Sequence, residues 1–174
     1  ATLYIVMKKE SYGGNGDQKI FTVGTTASSG IMISEGDTES KIIVRGAMGG
    51  AGVQEEVENV GNVSGVHVMQ VIKTNTEVKY KLNGELIGVG VSEGSVIETS
   101  PLTLGWALGY PFADKWDGDI GEVIYINREI TETESTEINF YLSTKWGQTS
   151  IVDSDGDGLK DNQEDKNGNR EKDA

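Results

Sequence analysis

Short apolar runs rich in β-branched residues recur along the chain, separated by clusters of Gly, Ser, Asn and Asp. Such runs, bounded by turn-forming residues, predict strands of an all-β sandwich. Thr2–Lys8 and Lys19–Val23 are the first two. Gly30–Ser34 and Lys41–Arg45 form a hairpin around Glu35-Gly36-Asp37. Val53, Val57 and Val60 alternate among acids, so Val53–Val60 is an exposed strand. In Ser64–Lys73, Val66, Val68 and Val71 mix with His67, Met69 and Ile72, which predicts a strand covered on both faces. Glu77–Leu82 and Glu85–Val91 flank Asn83-Gly84, a two-residue signal for a tight hairpin. Leu102–Trp106 and the long apolar Gly118–Asn127 complete the set.

One segment breaks the strand pattern. Thr131 and Glu134 have the spacing of a capping box, with Glu132 in the same first turn, where acids favour the positive end of a helix. Ile138, Tyr141 and Leu142 fall on one face, which Phe140 extends. Lys145 and Trp146 follow, and Gly147 ends the helix. Residues 148–152 then read as a linker.

The C-terminal stretch carries the clearest chemistry. Asp153-Ser154-Asp155-Gly156-Asp157-Gly158-Leu159-Lys160-Asp161-Asn162-Gln163-Glu164 fits the calcium-loop pattern D-x-[DN]-x-[DN]-G-x5-E. Calcium is a hard cation that takes six to eight oxygens. Asp153, Asp155 and Asp157 stand at positions 1, 3 and 5, and Gly158 at position 6 permits the sharp turn. The carbonyl of Leu159 is at position 7. Asp161 at position 9 binds directly or through a water, and Glu164 at position 12 closes the shell. A second frame starts at once, with Asp165, Asn167, Asn169 and Asp173 at positions 1, 3, 5 and 9. Glu171 joins its candidate ligands. Arg170 replaces the usual glycine there, and position 12 would fall beyond Ala174.

The chain has 174 residues, enough for one domain with a short appendage. Its net charge of −13 argues against nucleic acid and against anionic membrane, since both need a basic face. No cysteine is present, so neither disulfides nor thiolate metal sites enter the picture. A calcium-dependent segment belongs where calcium is near millimolar, which points to an extracellular or cell-surface setting.

The alternation D-x-D-x-D-G-L-x-D, followed by E-D-x-N-x-N, resembles the bacterial form of thrombospondin type 3 repeats, in which calcium loops stiffen a stalk. The run from Trp116 and Asp117 through Ile126, with Arg128, Ile130 and Tyr141-Leu142-Ser143-Thr144-Lys145-Trp146-Gly147, resembles the end of a bacterial laminin-G-like, concanavalin-A-like jelly roll. Residues from His67 to Glu85 and Leu102 to Gly105 resemble the middle of that fold. The resemblance covers about 64–147 well and 1–63 loosely. It implies two packed antiparallel sheets with one short C-terminal helix, followed by an irregular calcium-loop segment. The expected organisation is a sandwich over 1–147, the linker at 148–152, and a truncated calcium repeat at 153–174. The family usually has strands ahead of the one matched by Thr2–Lys8. Their absence suggests either an excised piece of a longer surface protein or a sheet completed by another chain.

Other chemistry is sparser. Trp106, Tyr110, Phe112 and Trp116 crowd one loop with Asp114, an arrangement that suits stacking on sugar rings and equally suits plugging the end of the sandwich. Trp106, Tyr110, Asp114 and Trp116 are the candidate ligand-binding residues, and Asp114 with Asp117 is a candidate second calcium site. Asp117, Asp119 and Glu122 approach the carboxylate strand of jelly-roll glycosidases. Asp119 and Glu122 differ in parity, however, and on a regular strand would point to opposite faces. No serine or cysteine nucleophile has a convincing histidine partner. The expectation is a non-enzymatic, secreted or cell-surface module for adhesion or ligand binding, its partner a glycan or a surface or matrix protein, with Ca2+ as its cofactor. A ligand-free spacer and a jelly-roll glycosidase are the alternatives.

Overall fold

The computed structural model describes residues 1–9, 18–23, 31–35, 42–45, 54–57, 65–91, 102–105 and 116–165. Ten strands and two helices follow in chain order: β1 (Thr2–Lys9), β2 (Lys19–Val23), β3 (Ile31–Glu35), β4 (Ile42–Arg45), β5 (Gln54–Val57), β6 (Gly65–Lys73), β7 (Glu77–Leu82), β8 (Glu85–Val91), β9 (Leu102–Leu104), β10 (Gly118–Ile126), α1 (Glu132–Lys145) and α2 (Asp161–Glu164). The strands form two five-stranded sheets, ordered β10-β1-β6-β7-β8 and β5-β4-β3-β2-β9. All pairings are antiparallel. The expected β-sandwich is therefore present.

Strand alternation sorts side chains into two cores. On β1, Leu3, Ile5 and Met7 face the second sheet, where they meet Ile20, Phe21 and Val23 of β2 and Met69, Val71, Val78, Tyr80 and Leu82 from neighbouring strands. Tyr4 and Val6 point the other way and pack with Val68, Ile130, Leu142 and Val152. β6 is buried on both faces, as its mixed apolar sequence predicts. β1 is hydrogen-bonded on both sides, by β10 and by β6. No bare flank remains beside Thr2–Lys8.

Helix α1 begins as its capping box predicts. Thr131 Oγ1 accepts from the Glu134 N–H at 3.2 Å, and Glu134 Oε2 accepts from the Thr131 N–H at 2.9 Å. The buried face is only partly the expected one, for Leu142 is buried and Ile138 packs beside it. The buried residues of the helix are Ser135, Asn139, Leu142 and Ser143, while Tyr141 is 46% exposed. The helix seats on polar contacts. Gln70 Nε2 donates to Tyr4 Oη at 2.6 Å and to Ser135 Oγ at 2.9 Å. Burial, only partly offset by the Ser135 and Gln70 hydrogen bonds, pushes the Tyr4 phenol up to about 12, so it stays neutral and acts as a hydrogen-bonding group.

The stretch 148–152, expected to be a linker, carries Val152 fully into the outer core. Its backbone continues the helix end: Ile151 and Val152 N–H groups both donate to the Gln148 carbonyl at 3.0 Å. The chain beyond α1 is thus packed onto the sandwich before the acidic loop begins.

Candidate metal centre

The acidic loop is shaped by its own aspartates. Asp153 is 7% exposed. Its Oδ1 accepts from the Gly156 N–H at 2.7 Å and its Oδ2 from the Gly158 N–H at 2.9 Å. Asp155 Oδ1 accepts from the Asp157 N–H, and Asp157 Oδ1 from the Leu159 N–H at 2.8 Å. Successive aspartate turns of this kind wrap the backbone around one point. Gly158 turns with φ +99°, a region that glycine enters without steric cost.

The wrapping brings one carboxylate oxygen from each of Asp153, Asp155 and Asp157 within 4.8 Å of the others. Three carboxylates so close repel one another unless a cation or protons intervene. The donor set is all oxygen and matches a hard divalent ion. These residues fit calcium, which would supply charge neutralisation and a fixed loop shape.

Two further expected ligands lie outside this cluster. Asp161 is fully buried, and its carboxylate already has three donors. Oδ1 accepts from the Ser154 N–H at 2.9 Å; Oδ2 accepts from Ser154 Oγ at 2.8 Å and from Ser143 Oγ. Asp161 therefore fastens the loop to α1. Glu164 lies buried on α2 and is outside the three-carboxylate cluster. Asp165 donates its N–H to the Asp161 carbonyl at 3.0 Å. Asn167, Asn169, Glu171 and Asp173 lie outside the described residues.

The loop is also fastened to the β7–β8 turn. The Asp153 N–H donates to the Asn83 carbonyl at 3.0 Å, and the Asp161 N–H to the Val152 carbonyl at 2.9 Å. Asn83 in turn is held by β6: the Val68 N–H donates to Asn83 Oδ1 at 2.9 Å, and Asn83 Nδ2 lies 3.1 Å from His67 Nδ1. Sequence reasoning missed this docking. The only signal was the Asn83-Gly84 pair, which a hairpin turn already explains.

The other candidates separate. Trp116 packs against the inter-sheet core, and its backbone N–H donates to the Gly105 carbonyl at 3.1 Å. Trp106, Tyr110 and Asp114 lie outside the described residues. The parity argument for Asp119 and Glu122 is overturned. A bulge at Gly121 places Glu122 opposite Val6 and Asp119 opposite Lys8, so both carboxylates lie on one face. Gly121 is needed there, because a Cβ would come within 2.7 Å of the Trp146 ring. Glu122 nevertheless makes a poor general acid. Burial alone would raise its pKa, but hydrogen bonds from Trp146, Lys145 and Tyr141 outweigh burial and hold it below the usual range. Trp146 Nε1 donates to Glu122 Oε2 at 2.9 Å. A glycosidase acid needs the opposite shift.

No protein-family profile matches the chain, and no curated protein matches it. Solved structures do share its fold. The CBM40 of the Ruminococcus gnavus IT-sialidase, bound to α2,3 sialyllactose, aligns with a TM-score of 0.60 at 16% identity, over 76% of this chain and 78% of that one. A proposed carbohydrate-binding protein of Bacteroides ovatus ATCC 8483 gives 0.58 at 15%, over 76% of this chain and 38% of that one. Domains LG4-5 of the mouse laminin α1 chain give 0.54 at 9%, over 75% and 37%. The sandwich is a jelly-roll-like fold of this kind.

Proposed function

We propose that this chain is a non-catalytic glycan-binding module of an extracellular or cell-surface protein, with a calcium ion held in its C-terminal loop. Adhesion to a surface or matrix is the setting we favour. The observation that carries the calcium reading is the convergence of Asp153, Asp155 and Asp157 within 4.8 Å on a loop fastened to the sandwich. The glycan reading is supported by fold likeness, since one similar structure holds sialyllactose and another is a proposed carbohydrate-binding protein. Among the described residues, no helix is long and apolar enough to cross a membrane.

The resemblance to thrombospondin type 3 repeats pictured a loop on a separate stalk. We propose instead that the first calcium loop is an integral wall of the sandwich, because Val152, Asp153 and Asp161 are buried against it. Calcium then stabilises the domain itself by mass action on the folded state. Calorimetry with calcium and with a chelator, followed by a glycan array in calcium, tests both halves. No heat of calcium binding removes the metal reading, and silence across the array favours a ligand-free spacer.

A further inference from the structure

The outer face of β7–β8 lies open beside the loop. On β7, Val78, Tyr80 and Leu82 point into the core, so Lys79 and Lys81 project outward. Lys81 faces Leu86 across the ladder, and Lys79 faces Val89. Leu86 and Val89 are 52% and 50% exposed. Glu132, the first residue of α1, rises at one side, with its carboxylate 3.1 Å from Lys81 Nζ. The acidic loop rises at another side, contributing Asp155 and Lys160. Together they enclose a cleft of about 660 Å³, within the size range of small-molecule sites.

The lining decides the ligand class. Three ammonium groups, Lys79, Lys81 and Lys160, stand among four carboxylates, Glu85, Glu132, Asp153 and Asp155. Sugar hydroxyls both donate and accept, and so match a wall that offers both. An acidic ligand meets a surplus of negative charge. A divalent ion on the three clustered carboxylates leaves the wall near neutral, so discrimination against acidic ligands then rests on the charge of the whole protein. The protein as a whole carries −13, which repels anions further at low salt.

Building on the glycan reading above, we infer that this cleft is the saccharide groove, and that it takes neutral oligosaccharides in preference to acidic ones. Lys79, Lys81 and Glu85 supply polar contacts, while Leu86 supplies an apolar surface for the ring C–H face. Among the residues lining it there is no aromatic platform, so binding is governed by hydrogen bonds.

The test is a backbone-amide NMR titration of the whole chain in calcium. The probes are lactose, cellotetraose and maltotetraose, with α2,3 sialyllactose as the acidic counterpart of lactose. Expected are shifts at Lys79, Lys81, Gly84 and Leu86 with at least one neutral probe. Wherever lactose binds, sialyllactose is weaker by roughly fivefold at low salt, because bringing one unit of negative charge against the net negative charge of the protein costs about that factor in water. Lys79→Ala should weaken the neutral probe roughly tenfold while leaving the melting temperature unchanged. Shifts confined to residues 102–105 and 116–118 overturn the location and leave the glycan reading intact. Tighter binding of sialyllactose than of lactose overturns the ligand class. Silence with every probe overturns this inference, and the array above decides separately whether other glycans bind.

Discussion

The Asp153 N–H donates to the Asn83 carbonyl at 3.0 Å, which joins the first residue of the acidic loop to the tip of the β7–β8 hairpin. The contact needs Gly84. Its φ is +85°, and a Cβ there would sit 1.7 Å from the Asp153 carbonyl oxygen. Gly84→Ala is therefore expected to destabilise the domain by roughly 1–3 kcal/mol from backbone conformation and clash together. It should also weaken calcium binding, because the loop must move away. Chemical denaturation and calcium calorimetry on the same variant check both effects.

Asp161 offers a sharper distinction. Its carboxylate serves Ser143 and Ser154, so Asp161→Ala leaves buried donors without an acceptor. The expected loss is roughly 3 kcal/mol, seen in chelator as well as in calcium. A residue acting only as a metal ligand would show its effect in calcium alone. Denaturation curves under the two conditions separate the roles.

Removing calcium should lower the melting temperature. At a free concentration near a hundred times Kd, the ion contributes about 2.7 kcal/mol. Asp157→Ala is expected to abolish the calcium-dependent part while leaving the melting temperature in chelator unchanged or higher, since it removes one of three mutually repelling carboxylates. Differential scanning calorimetry with and without chelator reads this directly.

Acid should loosen the start of α1. Arg128 Nη2 lies 2.6 Å from Glu134 Oε1. Its hydrogen bond, with that from the Thr131 N–H, holds the Glu134 carboxyl down to about 2, against an ordinary value of 4.5. The folded pKa is depressed, so this contribution is fully present above about 4.5 and is lost as pH falls toward about 2. The group is exposed, and the effect is correspondingly modest. Carboxyl-carbon NMR titration should place Glu134 low in the native protein and higher in Arg128→Ala, though still below its ordinary value because the Thr131 N–H bond remains.

The strands were legible because strand alternation and the Asn83-Gly84 turn are written in residue types. The helix start was legible because Thr131 and Glu134 carry complementary groups at a fixed spacing. Its buried face was legible in part: Leu142 and Ile138 reach the outer core as expected, but Ser135, Asn139 and Ser143 are buried too, and a search for apolar periodicity passes over polar residues. The pairing of Asp119 with Glu122 was misjudged because a bulge adds one residue to β10 and shifts every parity beyond it. The aspartate pattern was readable, but its docking was not. The joining bonds run between backbone groups of Asp153 and Asn83, which every residue type possesses. Asp161 fits the loop pattern at position 9, yet that pattern carries no information on whether the side chain faces the ion or Ser143.

The fastening of the acidic loop also sets how the domain bears tension. A pull applied at Asp165 reaches first the Asp161–Ser143 and Asp153–Asn83 bonds, and only then the end of α1. The force is divided between a helix and a hairpin that belong to different parts of the sandwich. Load arriving from the acidic loop is thus shared between Ser143 of α1 and Asn83 of the hairpin.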